Sequence, residues 1–393
     1  MWIKWFGEKI KLYQIACEEK TLLNLINSYI HKKEVPTCDC WNKVFSLAKK
    51  HSLANLFFIA VKDVPNIPQD LLEDAREFFA TQTAQQIYQD FYTEKILQDL
   101  TDKGIKFMPL KGKRIRELYP APEARTSCDV DIFYDKIRTK EVNKILLSNG
   151  FKCEGKSVNH SHWQNNAITF EMHYELAAHK DKAFEYYEGV WDKLKTDNNV
   201  EFRFTDEDFY IYFMVHASKH FFGGGFGIRT VLDIYIYKNS VVLDKDYLKV
   251  EFAKLGLSKF VAVMEDLADV WFGERKSNPD IELLAVFILK SSTYGVSSNY
   301  AIMSVDGKKG ERKAKIAYFF KVIFPSYKSM KTKYPFLKYL PILLPIMWVY
   351  RWFEVLFTRK ENFRKTVNNL KSMNDVKIER IEKVKEITGF KEY

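Results

Sequence analysis

The sequence predicts an α+β fold, with a small mixed sheet set between an N-terminal and a C-terminal helical region. Apolar residues recur at helical spacing over residues 1–104 and again over 205–393, whereas over residues 105–204 the period changes to short strands mixed with short helices. The strand candidates in that middle part are short and too few for a large barrel. No repeat or low-complexity tract interrupts the three regions.

In the first region, Cys17 to Ile30 and Trp41 to Val61 show helical spacing. Pro68 opens a long amphipathic run through Phe78, Ile87, Phe91 and Ile96 to Leu100, with Lys103-Gly104 as its stop. The middle region begins with a short strand over Ile105–Leu110, ended by Lys111-Gly112. A short helix over Lys113–Leu118 is broken by Tyr119-Pro-Ala-Pro122. Ser127–Tyr134 reads as a strand, Lys140–Ser148 as a helix closed by Asn149-Gly150, and Ala167–Leu176 as the cleanest strand. On that strand Phe170, Met172 and Tyr174 share one face, and Thr169, Glu171 and His173 share the other. Val200–Phe204 is a last strand candidate. From Asp206 the helical period returns through Val231–Tyr237, Leu257–Phe272 and Ile281–Leu289, and Ser292–Gly307 is a polar connection. Helices then run to the end, interrupted at Pro325 and Pro335.

The chain has 393 residues, 47% apolar and 28% charged, which excludes a disordered chain, a collagen-like repeat and a disulfide scaffold. Five cysteines, an odd and sparse set, fit a reducing compartment. The opening Met-Trp-Ile-Lys-Trp-Phe-Gly-Glu-Lys yields no uncharged run of signal-peptide length, so a cytoplasmic protein is the expectation. The net charge of +10 is uneven: residues 306–338 hold ten Lys/Arg against Asp306 and Glu311. An acidic partner is implied, whether nucleotide phosphate, nucleic acid or an anionic membrane surface, unless the stretch is a solvated face. Next to it Tyr339–Tyr350 is free of charge, but short of the roughly 20 apolar residues that a spanning helix needs. The favoured reading buries Leu340, Leu343, Leu344 and Met347 in a packed helix beside a core of Phe319, Phe320, Ile323 and Phe324. Peripheral membrane contact is the second reading.

Chemistry concentrates at Cys128-Asp129-Val-Asp131-Ile-Phe133. On a strand, Asp129 and Asp131 project to the same face about 7 Å apart, while Val130, Ile132 and Tyr134 face a core. Such a pair is costly unless cations neutralise it, and divalent ions with oxygen ligands, Mg²⁺ above all, are the natural remedy. An acidic pair on a solvent-facing strand is the bland alternative. Upstream, Lys111-Gly112-Lys113-Arg114 forms a strand end, a glycine and a helix start, a turn suited to phosphate oxygens. Other chemistries find little support. His216 and His220 are one turn apart, but Ala217 stands where a zinc protease of the His-Glu-x-x-His type needs its glutamate. Phe222-Gly-Gly-Gly-Phe-Gly227 follows a helix and is a helix-ending loop, not a dinucleotide fingerprint. No Gly-x-Ser-x-Gly or Walker-type sequence occurs.

The order and wording of these pieces resemble the uncharacterised nucleotidyltransferase family of the DNA polymerase beta-like superfamily. The resemblance rests on Met108-Pro-Leu-Lys-Gly112, Leu118-Tyr-Pro-Ala-Pro122, Arg125-Thr-Ser-Cys-Asp-Val-Asp131 and Phe170-Glu-Met-His-Tyr174. It extends more loosely to His216-x-x-x-His220, Arg229 and Asp233. It implies a nucleotidyltransferase core at 105–204 that moves a nucleoside monophosphate from a nucleoside triphosphate to an acceptor and releases pyrophosphate. Asp129, Asp131 and Glu171 would be catalytic and hold Mg²⁺ or Mn²⁺. The resemblance makes Lys111-Gly112 the phosphate-side turn, and Lys113 and Arg125 add charge for the nucleotide beside it. Read from the residues alone, His216 and His220 are structural or substrate-pocket groups, His173 a contact to substrate or a support behind a metal ligand, and Arg229 a further candidate for that pocket. The wider superfamily commonly follows the glycine with Gly or Ser, where this chain has Lys113. The acceptor is open among small molecules, sugars, proteins and RNA. The competing class is a non-catalytic nucleotide-binding or scaffolding module.

Overall fold

A computed structural model describes residues 15–166, 168–177, 182–358 and 360–390. The opening stretch read for a signal peptide, and Ala167 at the head of the cleanest strand, lie outside them. The chain divides into two compact units, one of Met1–His216 with Ile228–Ser277, the other of Ala217–Gly227 with Asn278–Tyr393. The helix Asp206–Phe222 contributes to both.

The first unit opens with helices Cys17–His31, Trp41–Lys50, Ala54–Val61 and Gln69–Asp102. The single helix expected over Trp41–Val61 is two. Ser52 takes φ +55°, and Leu53 N–H donates back to Ala48 O at 2.8 Å, which closes the first helix before the second begins. Along Gln69–Asp102 the residues Leu71, Ala75, Ile96 and Leu100 are buried, but Ile87 and Phe91 of the expected apolar face are exposed.

Five strands follow: β1 (Phe107–Pro109), β2 (Asp129–Tyr134), β3 (Lys152–Lys156), β4 (His160–Gln164) and β5 (Thr169–His173), in the order β1-β2-β5-β4-β3. β2 and β5 are parallel and the other neighbours antiparallel. The alternation on β2 and β5 is as the sequence spaces it: Ile132, Tyr134, Phe170 and Met172 enter one core with Leu100 and Leu146. The opposite face of both strands is thereby left for polar groups. β3 and β4 were not expected from the sequence, because β3 is mostly exposed and polar and β4 spends alternate positions on His160 and His162. Of Val200–Phe204 only Phe202–Arg203 forms a strand, paired with Lys195–Thr196 in a separate sheet.

The second unit is helical. Asn278 caps Pro279–Leu289 by accepting from Asp280 and Ile281 N–H. The connection expected over Ser292–Gly307 contains a helix, Ser297–Met303. The glycine run 223–225 has a packing reason: Val296 N–H donates to Gly224 O at 3.0 Å, and a Cβ on Gly224 would stand 2.6 Å from Val296 O. Helices Glu311–Ile323, Tyr327–Lys333, Leu344–Thr358, Lys360–Ser372 and Asp375–Thr388 complete the unit. One expectation fails here. The Tyr339–Tyr350 window is not a packed core helix: Leu340 is 52% exposed and Ile342 82%, while Leu343, Leu344 and Met347 are only half-buried. Phe319, Phe320 and Phe324 are exposed as well. No helix among the described residues is long and apolar enough to cross a membrane.

Candidate active site

Parallel pairing places Asp131 beside Glu171 and Asp129 beside Thr169, so β2 and β5 carry their carboxylates on one face. Ligand atoms of Asp129, Asp131 and Glu171 lie within 4.8 Å of one another. Glu171 also faces β4, where His162 is its cross-strand neighbour. His160, Glu171 and His173 form a second group within the same 4.8 Å, so Glu171 belongs to both.

Asp131 is 2% exposed and held from two sides. Lys111 Nζ stands 3.2 Å from its Oδ2, and His173 Nε2 stands 3.0 Å from its Oδ1. Burial would push the Asp131 carboxyl up, but the Lys111 ammonium and the His173 contact outweigh it and hold it well below the ordinary carboxylate range. Asp129 goes the other way. Burial, and then the neighbouring Asp131 and Glu171 charges, raise it above its usual value against the pull of Lys111. His173, 5% exposed, is lowered by burial yet raised overall by its contacts with Asp131 and Glu171. Glu171 is shared among His173 at 3.4 Å, His162 at 3.4 Å and His160 at 3.9 Å.

The turn after β1 is built on Gly112, at φ +87° and ψ −84°, just ahead of the helical turn Lys113–Arg116. A side chain there would meet only Ser127 Oγ at 3.7 Å, so the backbone and not space demands glycine. Gly112→Ala should therefore lower stability by about 1–3 kcal/mol through strain alone. A thermal-melting midpoint equal to wild type would refute that.

Of the other sequence candidates, Lys111 joins the carboxylates and His216 joins Lys111. Lys111 turns back to Asp131 and to His216 Nε2 at 2.9 Å. Lys113 is exposed. Arg125 is 6% exposed, its Nε and Nη2 donating to the Asp233 carboxylate at 2.7 and 3.0 Å and its Nη1 to Gly112 O at 3.2 Å. Arg229 donates to Thr126 O at 2.7 Å. His220 is exposed, a turn beyond His216, and belongs to the other unit.

Beyond the chosen residues, the structure adds His160 and His162 to the carboxylates and brings in Tyr212. Burial, and then the charges of Asp131, Glu171 and Asp129, hold the Tyr212 hydroxyl protonated far above its usual range. The His-x-His alternation at 160–162 was the available signal; Tyr212 sits in an apolar helix and had none.

No curated protein and no solved structure matches the chain. The family profile described as "Uncharacterised nucleotidyltransferase" matches residues 38–273, more than half of the chain, and the matched stretch carries the whole carboxylate site. The chain therefore belongs to that uncharacterised nucleotidyltransferase family.

Proposed function

We propose that the protein is a divalent-metal-dependent nucleotidyltransferase, transferring a nucleoside monophosphate from a nucleoside triphosphate to an acceptor hydroxyl with release of pyrophosphate. The observation that carries this is the trio Asp129, Asp131 and Glu171 on one face of two parallel strands. The donor set fits a cation: three carboxyls crowd one another enough to raise Asp129, and Lys111 already serves as a stand-in positive charge on Asp131. Asp129, Asp131 and Glu171 would hold Mg²⁺ or Mn²⁺ through carboxylate oxygens. When bound, the ion supplies charge stabilisation for the phosphoryl group in flight.

The chain's own groups do the rest. Lys111 is positioned to exchange its contact with Asp131 for a phosphate oxygen, returning to His216 and Asp131 when the site empties. Gly112 lets the backbone come close to the phosphates, and exposed Lys113 adds charge at the same turn. Arg125, paired to Asp233 and bound to Gly112 O, acts from behind by holding that turn. The acceptor oxygen attacks the α-phosphorus as the bond to the β-phosphate oxygen breaks, and Glu171 takes the acceptor proton. His173, bonded to Asp131 and Glu171, orients both acids.

A screen with labelled nucleoside triphosphates and Mg²⁺ or Mn²⁺ in lysate tests this. It should label one acceptor class and release pyrophosphate. Thermal stabilisation by triphosphates without turnover on any acceptor class would favour a binding module, and no shift with any nucleotide would defeat both readings.

A further inference from the structure

The second unit leaves two apolar stripes uncovered. On Glu311–Ile323 the residues Ile316, Phe319 and Phe320 are exposed, spaced as one face of a helix. On Leu344–Thr358 the exposed residues are Ile346, Val349, Tyr350, Phe353 and Phe357, at intervals of three and four. The connection between them adds Tyr339 and Ile342, 80% and 82% exposed. The two helices are tied together by polar bonds that draw the other faces inward. Trp348 Nε1 donates to Pro325 O at 2.9 Å, Trp352 Nε1 to Ile323 O at 2.7 Å and Arg351 Nη1 to Val322 O at 2.9 Å, satisfying carbonyls at and just beyond the end of the first helix. Phe324 bridges them through ring contacts of 5.2 and 5.4 Å with Trp348 and Trp352. The side chains named at these exposed positions are apolar or aromatic. This is far more than the scattered apolar side chains of an ordinary surface.

We propose that this face is a docking surface for an anionic phospholipid bilayer, on which the two helices lie without spanning it. Charge complementarity selects this occupant: residues 306–338 carry a net charge of +8. Arg312 and Lys313, a turn before Ile316 on the same helix, are exposed, as are Lys328, Lys331 and Lys338 ahead of the second stripe. Aromatic and aliphatic residues flanked by Lys and Arg are the composition of helices that settle at the headgroup level. At fifteen residues, Leu344–Thr358 is about 22 Å long, suited to lying in the interface and too short to cross the hydrocarbon core. This inference is independent of the carboxylate site and of its chemistry.

The test is flotation of the full-length protein with vesicles of pure phosphatidylcholine and of equimolar phosphatidylcholine and phosphatidylglycerol, at low and high salt. Wild type should float with the anionic vesicles only and be released as salt shortens the screening length. Arg312→Ala with Lys313→Ala should weaken partitioning about 30-fold, about fivefold for each cation removed. Ile346→Asp with Phe353→Asp, both on solvent-exposed positions, should abolish flotation while leaving circular dichroism and nucleotide-induced thermal shifts unchanged. Absence of wild-type flotation on anionic vesicles, or undiminished flotation of the aspartate pair, would overturn the proposal. A concentration-dependent dimer that the aspartate pair disperses, with no vesicle binding, would instead assign the face to self-association and overturn it too.

Discussion

Asn at both 129 and 131 should lower nucleotide turnover by about 10³-fold or more, the equivalent of several kcal/mol of lost charge stabilisation at about 1.4 kcal/mol per tenfold. The two single variants should differ in stability when the protein is kept in chelator, only the one at 131 being destabilised. Asp129 is held above its ordinary pKa by burial and by two like charges, so its ionised form is a cost in the folded state. Asp129→Asn should leave the melting midpoint unchanged or raise it at pH 7, a difference that closes as pH falls through the folded-state pKa. Asp131 is held below its ordinary value despite burial, by Lys111 and His173. Its contribution is present above the unfolded value near ~4 and is lost as pH falls toward the folded one. Asp131→Asn should therefore destabilise at pH 7, with the deficit narrowing in acid. Adding Mg²⁺ should stabilise wild type and not Asp129→Asn. Wild-type turnover in the double variant would end the assignment, and equal effects of the two single variants would show that the electrostatics are wrongly apportioned.

Arg125→Met should be among the most destabilising single substitutions in the first unit. It strands the Asp233 carboxylate, 3% exposed, whose Oδ1 keeps the Tyr119 hydroxyl, donating at 2.7 Å. Removing one partner of a buried, bidentate pair costs about 3–5 kcal/mol. For a unit of this size that is a fall in melting temperature on the order of 10 °C. Arg125→Lys should rescue little, because an ammonium cannot give two parallel bonds to Asp233 and a third to Gly112 O. Arg125→Met with Asp233→Leu should recover much of the loss, since no charge is left stranded. A double variant as unstable as Arg125→Met would point to packing and not charge as the source.

Local chemistry made part of this site readable. Asp129 and Asp131 alternate with apolar neighbours on one short strand, and Glu171 alternates with Phe170 and Met172 on another, so each strand states which face is polar. The glycine at 112 marks its own turn. What the sequence withheld depends on distance along the chain. Arg125 and Asp233 are 108 residues apart, and a reading that assigns Arg125 to the nucleotide has no signal that the fold buries the two together. β4 escaped notice because only Trp163 is a large apolar group on its buried face, beside Ser161, while His160 and His162 take the other face toward Glu171. The Tyr339–Tyr350 window shows a different limit. Helical spacing of apolar residues says that a face avoids water, and it does not say that the chain itself supplies the cover.

The pairing of β2 with β5 imposes a parity rule on changes in chain length. Side chains alternate across a sheet, so an odd insertion within either strand would turn its acids into the cluster of Ile132, Phe170 and Met172 and put those apolar groups in water. An even insertion keeps the faces but displaces a carboxylate by about 7 Å along the strand, beyond the reach of its partner. Between β2 and β5, length can change where the chain turns between paired elements, provided that β4 still returns its histidines to Glu171. Lengthening at Ser157–Val158, where the chain turns between β3 and β4, should leave the acids in register, whereas one residue added between Val130 and Asp131 should cost the fold and the site together.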